Sequence, residues 1–262
     1  MGDLRDVASE QDARGITIQR VGVRDIHLPV RIRQRDGGHA RVVGVFDTSV
    51  ELAHYQRGTH MSRFVEILTQ WSKHAVGAPE IEQILAQICE RFRAREASLA
   101  LSFKYFLTKL SPQTGIPCDL DYDCHFEGRT TESRYEFIVG AQVPITTLCP
   151  CSKEIAQFGA HSQRAELGVR VRQRAGDVLW LEELVPLLEA QGSAAVFPVL
   201  KRQDEAWVTE QAYQNPKFVE DVVRDTVLAL RERPEAEWFS VECLSFESIH
   251  NHNAYAYAES DV

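Results

Sequence analysis

At 262 residues, with 44% hydrophobic and 26% charged side chains, the chain has room for one large domain or two modules, and its composition is that of a soluble globular protein. Its formal charge of −9, from 38 acidic against 29 basic residues, excludes the broad basic face that general nucleic-acid binding needs, so a polyanionic ligand would require a local basic pocket. No apolar run reaches the ~18 residues of a membrane span, Met1–Glu10 is too polar for a signal peptide, and the six cysteines read as free thiols or ligands in a reducing cytoplasm.

In chain order, residues 1–15 read as a flexible N-terminal arm. From Ile16 an apolar–polar mixture predicts a strand that continues through Val30 and Ile32 into the turn Arg33–Gly38, where Asp36-Gly37-Gly38 supplies positive φ cheaply. Val42–Leu52 is the returning strand of this hairpin. Thr59 or Ser62 can cap a helix with the stripe Phe64, Ile67, Leu68, Trp71 and Ala75. Pro79 opens a second helix, with Ile81, Ile84, Leu85, Ile88 and Phe92 on its apolar side. Alternation predicts strands over Leu99–Leu110 and Cys118–Thr130. The order then repeats: strands Tyr135–Leu148 and Ala165–Arg174, helices Leu179–Gln191 and Pro216–Arg233, strands Trp238–Ile249 and Ala254–Ala258. The halves share element order without sequence identity. This predicts a tandem α+β fold of two β-β-α-α-β-β units with sheets joined edge to edge, one module over 16–131 and the other over 132–262.

The stretch 144–164 carries the chemistry. Cys149 and Cys151 flank Pro150, and His161 follows ten residues after Cys151. Pro150 fixes its own φ and biases Cys149 towards extended backbone, so the two thiols cannot stack on a helix. Cys-x-Cys differs from the Cys-x-x-Cys knuckle of structural zinc sites, and a metal or nucleophile site competes here with a buried cysteine pair. Near the C-terminus, alternation on a strand puts Ser248, His250 and His252 on one face and Glu247 on the other. A proton-handling pair competes here with a solvated turn. Glu205 reads as a loop residue before a helix and Glu220 as a first-turn residue of its helix; for each, a solvated acid is the competing reading.

Five separated motifs are similar to the prokaryotic type IB GTP cyclohydrolases: Gly58-Thr59-His60-Met61-Ser62-Arg63-Phe64, Leu148-Cys149-Pro150-Cys151-Ser152-Lys153-Glu154-Ile155, Gly159-Ala160-His161-Ser162-Gln163-Arg164, Asn215-Pro216-Lys217-Phe218-Val219-Glu220-Asp221 and Glu247-Ser248-Ile249-His250-Asn251-His252. They occur in order from about residue 16 to the end. The resemblance implies a tandem (bimodular) tunnelling fold (T-fold) with antiparallel sheets and a homotetramer with sites at subunit interfaces. It also implies conversion of GTP and water to 7,8-dihydroneopterin triphosphate and formate, the entry to tetrahydrofolate-type pterins and, in many bacteria, to queuosine. By resemblance, Cys149, His161 and Glu205 hold one divalent metal, zinc or alternatively manganese or ferrous iron, with a position left for water. Glu220 anchors guanine. Glu247, His250 and His252 handle protons, and Cys151 lies near the substrate. His60, Arg63, Lys153 and Arg164 are the cations for the triphosphate. Two alternatives are a nitrile reductase of the same fold, with a cysteine nucleophile and NADPH, and a non-catalytic metal-binding module. No nucleic-acid or membrane partner is expected.

Overall fold

A computed structural model of the chain describes residues 6–260. The fold is α+β and predominantly antiparallel. Its strands are β1 (Ile18–Arg33), β2 (His39–Leu52), β3 (Ala75–Val76), β4 (Ala97–Leu110), β5 (Pro117–Thr130), β6 (Tyr135–Leu148), β7 (Ser162–Gln173), β8 (Ala194–Ala195), β9 (Ala236–Ser245) and β10 (Ala254–Glu259). Its helices are α1 (Met61–Trp71), α2 (Ala78–Phe92), α3 (Pro150–Ile155), α4 (Leu181–Glu189), α5 (Arg202–Gln214) and α6 (Val219–Arg231). Hydrogen-bonded neighbours follow the order β10-β9-β7-β6-β5-β4-β2-β1-β3, with β8 on β6. The chain forms two compact units: residues up to Phe103 with His125–Ile138, and Lys104–Cys124 with Val139 onward. These units divide inside β4, β5 and β6. Each of these strands has 14 residues, roughly 45 Å at ~3.3 Å per residue, far beyond an ordinary strand.

In the first unit, β1 and β2 form a hairpin from Arg33↔His39 outward, closed by Gln34 N–H to Gly38 O at 3.0 Å with Gly37 at φ 86°. The register shifts between Val23 and Ile26, where Asp25 sits at φ 60° and its N–H donates to Asp47 Oδ1 at 2.8 Å. This bulge breaks the alternation that a plain strand would show. Helix α1 buries Phe64, Ile67 and Leu68, and α2 buries Ile81, Ile84, Leu85, Ile88 and Phe92. Phe64 stacks on Phe92 with ring centroids 4.0 Å apart. Neither Thr59 nor Ser62 caps α1, because the N-cap is His60. Ala75 leaves the helix and pairs as β3 with Arg31, in parallel. Gly128 lets α2 approach β5, since a Cβ there would stand 2.4 Å from Ile81 Cγ2. Residues 1–5 of the stretch read as an arm lie outside the described residues. Further on, Gln11 bridges Gln56 and Asp12 N–H donates to Tyr55 O at 2.9 Å.

In the second unit, β9 pairs with β7 from Ala165↔Ser245 to Gln173↔Ala236, and with β10 from Ala254↔Ser245 to Glu259↔Ser240. Helix α4 buries Leu181, Leu184, Val185 and Leu188, while α6 buries Val219, Val222, Val223, Thr226 and Leu230.

Helix α5 has no counterpart in the predicted order. It lacks an apolar stripe and buries only Asp204 and Ala212. What holds its start is Asp204, whose carboxylate accepts Lys201 N–H (2.9 Å), Gln113 N–H (2.8 Å), Thr114 N–H (2.9 Å) and the Thr114 hydroxyl (2.7 Å). Burial alone raises the pKa of such an acid, but these four bonds to the charged form outweigh it and hold Asp204 at about 2. A depressed pKa means stability present above the unfolded value of about 3.9 and lost as pH falls through about 2. The stability gap between wild type and Asp204→Asn, measured by urea unfolding, is therefore expected to be full at pH 5 and to narrow steadily from pH 4 to pH 2. A gap that stays constant across that range would show that the charge on Asp204 does not hold α5.

Candidate active site

The site begins where β6 ends. Leu148 N–H donates to Ser193 Oγ at 3.1 Å, and Leu148 O accepts Lys217 N–H at 3.0 Å. Asn215 Nδ2 donates to Gly192 O at 3.0 Å, and Lys217 Nζ reaches Gln191 O at 3.0 Å and Asp225 at 2.7 Å. The Asn215-Pro216-Lys217 motif thus clamps the strand end immediately before Cys149. Leu148 packs with Ala194 and with Ala212 of α5, and Val208 of α5 lies against the same cluster.

Cys149 has φ −65° and ψ 116°, the extended backbone that a following proline imposes, and Pro150 opens the six-residue helix α3. Cys149 is the N-cap: its Sγ accepts Ser152 N–H at 3.4 Å. Two further bonds tie this turn to His161, and a third closes the turn on itself. Cys149 N–H donates to His161 O (3.1 Å), His161 N–H donates to Ser152 Oγ (3.1 Å), and Ser152 Oγ–H donates to Cys149 O (3.2 Å). Cys149 and His161 are half-buried, whereas Cys151 is exposed.

The imidazole of His161 meets Gln163 Oε1 through Nδ1 at 2.9 Å. Gln163 Nε2 lies 3.1 Å from Thr147 Oγ1 and 3.4 Å from Glu247 Oε1, and Ser248 Oγ is 3.3 Å from Gln163 Oε1. Ser245 Oγ donates to Glu247 Oε1 at 2.9 Å. Gln163 and Ser152 sit inside recognised motifs but were not among the predicted site residues. Hydrogen-bonding side chains at i+2 from His161 and i+3 from Cys149 were the available signal.

Glu247, His250 and His252 do not lie on a strand. Strand β9 stops at Ser245 and β10 starts at Ala254, so all three belong to the bend between them. The two histidines therefore share no strand face; their rings stack instead, 4.9 Å between centroids and 14° between planes, in an exposed loop. The physical reason is Ser248-Ile249-His250-Asn251-His252-Asn253, whose short polar side chains favour turn over ladder.

Glu205 is in the first turn of α5 and not in a loop. With Val208 and Ala212 it occupies positions i, i+3 and i+7, hence the helix face that leads to Leu148, where it is exposed. Glu220 is exposed in the first turn of α6, while its neighbour Asp221 accepts Phe218 N–H at 3.0 Å. Both helices divide labour alike: the aspartate at the third position holds the helix start, and the adjacent glutamate points to solvent. Burial, then the charge of Glu220, pushes the Cys243 thiol up to about 12.

Of the cations expected for the triphosphate, His60 and Arg63 belong to the first unit, and Lys153 and Arg164 to the second. Lys153 donates to Tyr213 O and lies 4.3 Å over the Tyr213 ring. Arg164 is exposed at the start of β7, and its carbonyl accepts Phe246 N–H at 3.0 Å. His60 and Arg63 belong to the first unit, where they line a cavity of about 610 Å³ with Tyr55, Arg91 and Arg93. His60 Nε2 is 3.2 Å from Asp6 Oδ2.

For a divalent cation the donor chemistry fits in two places: a thiol already accepting an N–H, and an imidazole whose Nδ1 is engaged. Among the described residues no group of three His, Cys, Asp or Glu side chains is close enough to hold an ion.

A family model described as type I GTP cyclohydrolase folE2 matches residues 4–256. The chain is 45% identical over 258 residues to GTP cyclohydrolase FolE2 of Geobacter sulfurreducens, covering 98% of each chain. It is 43% identical over 257 residues to the protein of that name from Caldicellulosiruptor bescii, again covering 98% of each. Among solved structures it is similar to uricase from Arthrobacter globiformis, with TM-score 0.54 and 10% identity over 97% of this chain and 95% of that one. A highly active mutant of urate oxidase from Bacillus sp. TB-90 gives TM-score 0.53 with 8% identity over 92% of this chain and 99% of that one. At such identities these two likenesses concern the fold alone. The folE2 match and the near-complete coverage at over 40% identity span every motif of the site, and by them the chain belongs to the type I GTP cyclohydrolase FolE2 family.

Proposed function

We infer that the protein is a GTP cyclohydrolase I, converting GTP and water to 7,8-dihydroneopterin triphosphate and formate for pterin biosynthesis, as family membership supports. The observation that carries this reading to particular residues is one connected set of hydrogen bonds. It runs from Cys149 through Ser152 and His161 to Gln163, and from there to Glu247. This set joins the end of β6 to the histidine-bearing bend after β9.

Cys149, His161 and Glu205 would hold one divalent cation, zinc first, with manganese or ferrous iron as alternatives for a set that includes a carboxylate. When bound, the cation supplies Lewis-acid polarisation and lowers the pKa of water from about 15.7 to roughly 7. The chain's own residues do the rest. Glu220, exposed and released from capping by Asp221, accepts the N1–H and 2-amino protons of guanine. His250 and His252 give and take the protons that formate release and pterin ring closure require. Cys151, exposed on α3, lies near the substrate. His60, Arg63, Lys153 and Arg164 bind the triphosphate, Lys153 with the protons it does not give to Tyr213.

The finer architecture belongs to the same reading. The order β1-β2-α1-α2-β4-β5 and then β6-β7-α4-α6-β9-β10 supports a tandem tunnelling fold, with β3, α3, β8 and α5 as additions. A cytoplasmic homotetramer with sites at subunit interfaces is in keeping with Ile155 and Phe158, which are 85% and 86% exposed beside the cysteine turn. Among the described residues no helix is long and apolar enough to cross a membrane.

The test is incubation with GTP and a divalent metal, followed by pterin fluorescence and a formate assay, on wild type and Glu220→Ala. Wild type is expected to yield both products. The variant should keep its metal content and show a KM for GTP at least about tenfold higher, since each stranded guanine donor costs about 1–3 kcal/mol. Wild type that yields neither product overturns the assignment, and metal loss in Glu220→Ala would mean that Glu220 and Glu205 have exchanged roles.

A further inference from the structure

We propose that Gln163 is a positioning residue that fixes which nitrogen of His161 carries the proton, and that Glu247 sets this choice through the Gln163 amide. The consequence for metal binding rests on the reading of His161 as a cation ligand.

Burial alternates along the start of β7: His161 and Gln163 are half-buried on one side, and Ser162 between them is exposed. The Gln163 amide has one donating and one accepting end, and its neighbours sort cleanly between them. Glu247, as a carboxylate, can only accept, and it faces Nε2 at 3.4 Å. Thr147 Oγ1 takes the second amide proton at 3.1 Å. Thr147 can then donate to Ser245 Oγ at 3.2 Å, and Ser245 donates onward to Glu247 at 2.9 Å. Every proton on this side has an acceptor. Oε1 is therefore turned to the other side, towards His161 Nδ1 at 2.9 Å and Ser248 Oγ at 3.3 Å. An amide oxygen only accepts, so Nδ1 must bear the hydrogen, which in the neutral ring leaves the lone pair on Nε2. Reversing the amide would set its oxygen against the Glu247 carboxylate and leave its protons without Thr147 and Glu247.

Free histidine in water favours the proton on Nε2. The network selects the opposite tautomer, which presents Nε2 as a ready ligand and spares the site a tautomer change on cation binding. It also couples the imidazole to the bend that carries His250 and His252, because Glu247 and Ser248 both belong to that bend.

The experiment reads the tautomer of His161 from long-range nitrogen–proton NMR on metal-free protein, assigned with His161→Ala. Wild type should show the proton on Nδ1. Gln163→Met, similar in size but without donor or acceptor, should move it wholly or partly to Nε2 and weaken Zn²⁺ affinity by about 10–100-fold. Glu247→Gln removes the acceptor-only partner and should give a mixture, and it carries the test if Gln163→Met fails to fold. An unchanged Nδ1–H tautomer in Gln163→Met overturns the role of Gln163, and an unchanged one in Glu247→Gln overturns that of Glu247. If wild type takes up no Zn²⁺ while Gln163→Met still switches tautomer, the cation reading fails and the positioning role stands.

Discussion

A Cys149→Ala variant is expected to lose its divalent cation and its GTP turnover together. The backbones of Cys149 and His161, two of the three candidate ligand residues, are already tied together by the bonds among Cys149, Ser152 and His161. A three-ligand site that loses its thiolate retains one imidazole and a carboxylate from an exposed helix turn, too little to keep zinc against solvent. Alanine also removes the cap acceptor for Ser152 N–H, and losing a cap costs about 0.5–2 kcal/mol. Cys149→Ser separates the two effects. A serine hydroxyl caps a helix well, so this variant should unfold at the wild-type temperature when both are metal-free, yet bind metal poorly. Elemental analysis, thermal unfolding and pterin fluorescence on both variants make the measurement. Full activity with full metal occupancy in Cys149→Ala would remove Cys149 from the ligand set.

Replacing His250 or His252 by alanine is expected to lower turnover by about 10²–10⁴-fold, the contribution of a positioned acid or base, and to leave metal content unchanged. Both side chains are exposed in the bend after β9, so their loss costs the fold little. Their rings stack 4.9 Å apart, close enough for both to serve one substrate, and Glu247 of the same bend is held by Ser245 at 2.9 Å. Ring opening and formate release precede pterin closure in the proposed reaction. A variant defective only in the later transfers should release formate, or accumulate a ring-opened intermediate, without making pterin. Metal loss in both single variants would move the histidines onto the cation. Unchanged turnover in both would return them to a solvated turn.

Local sequence determined much of this. The hairpin turn at Asp36-Gly37-Gly38, the apolar stripes of α1, α2 and α6, and the extended backbone at Cys149 all follow from residues within a few positions of one another. Steric limits on proline and glycine and the burial period of a helix act at that range. Tertiary structure decided the rest. Helix α5 has no apolar stripe to announce it: it exists because Asp204 reaches the β4–β5 turn some 90 positions away. The bend at 246–253 depends on β9 releasing its ladder after Ser245, although Glu247 and Ile249 alternate as a strand would. Gln163 is an ordinary polar residue until the register Ala165↔Ser245 brings Glu247 and Ser248 to its amide, 84 and 85 positions on. A side chain's donors and acceptors are written in the sequence, but their direction is set by whichever partners the fold delivers, and those partners come from across the sheet.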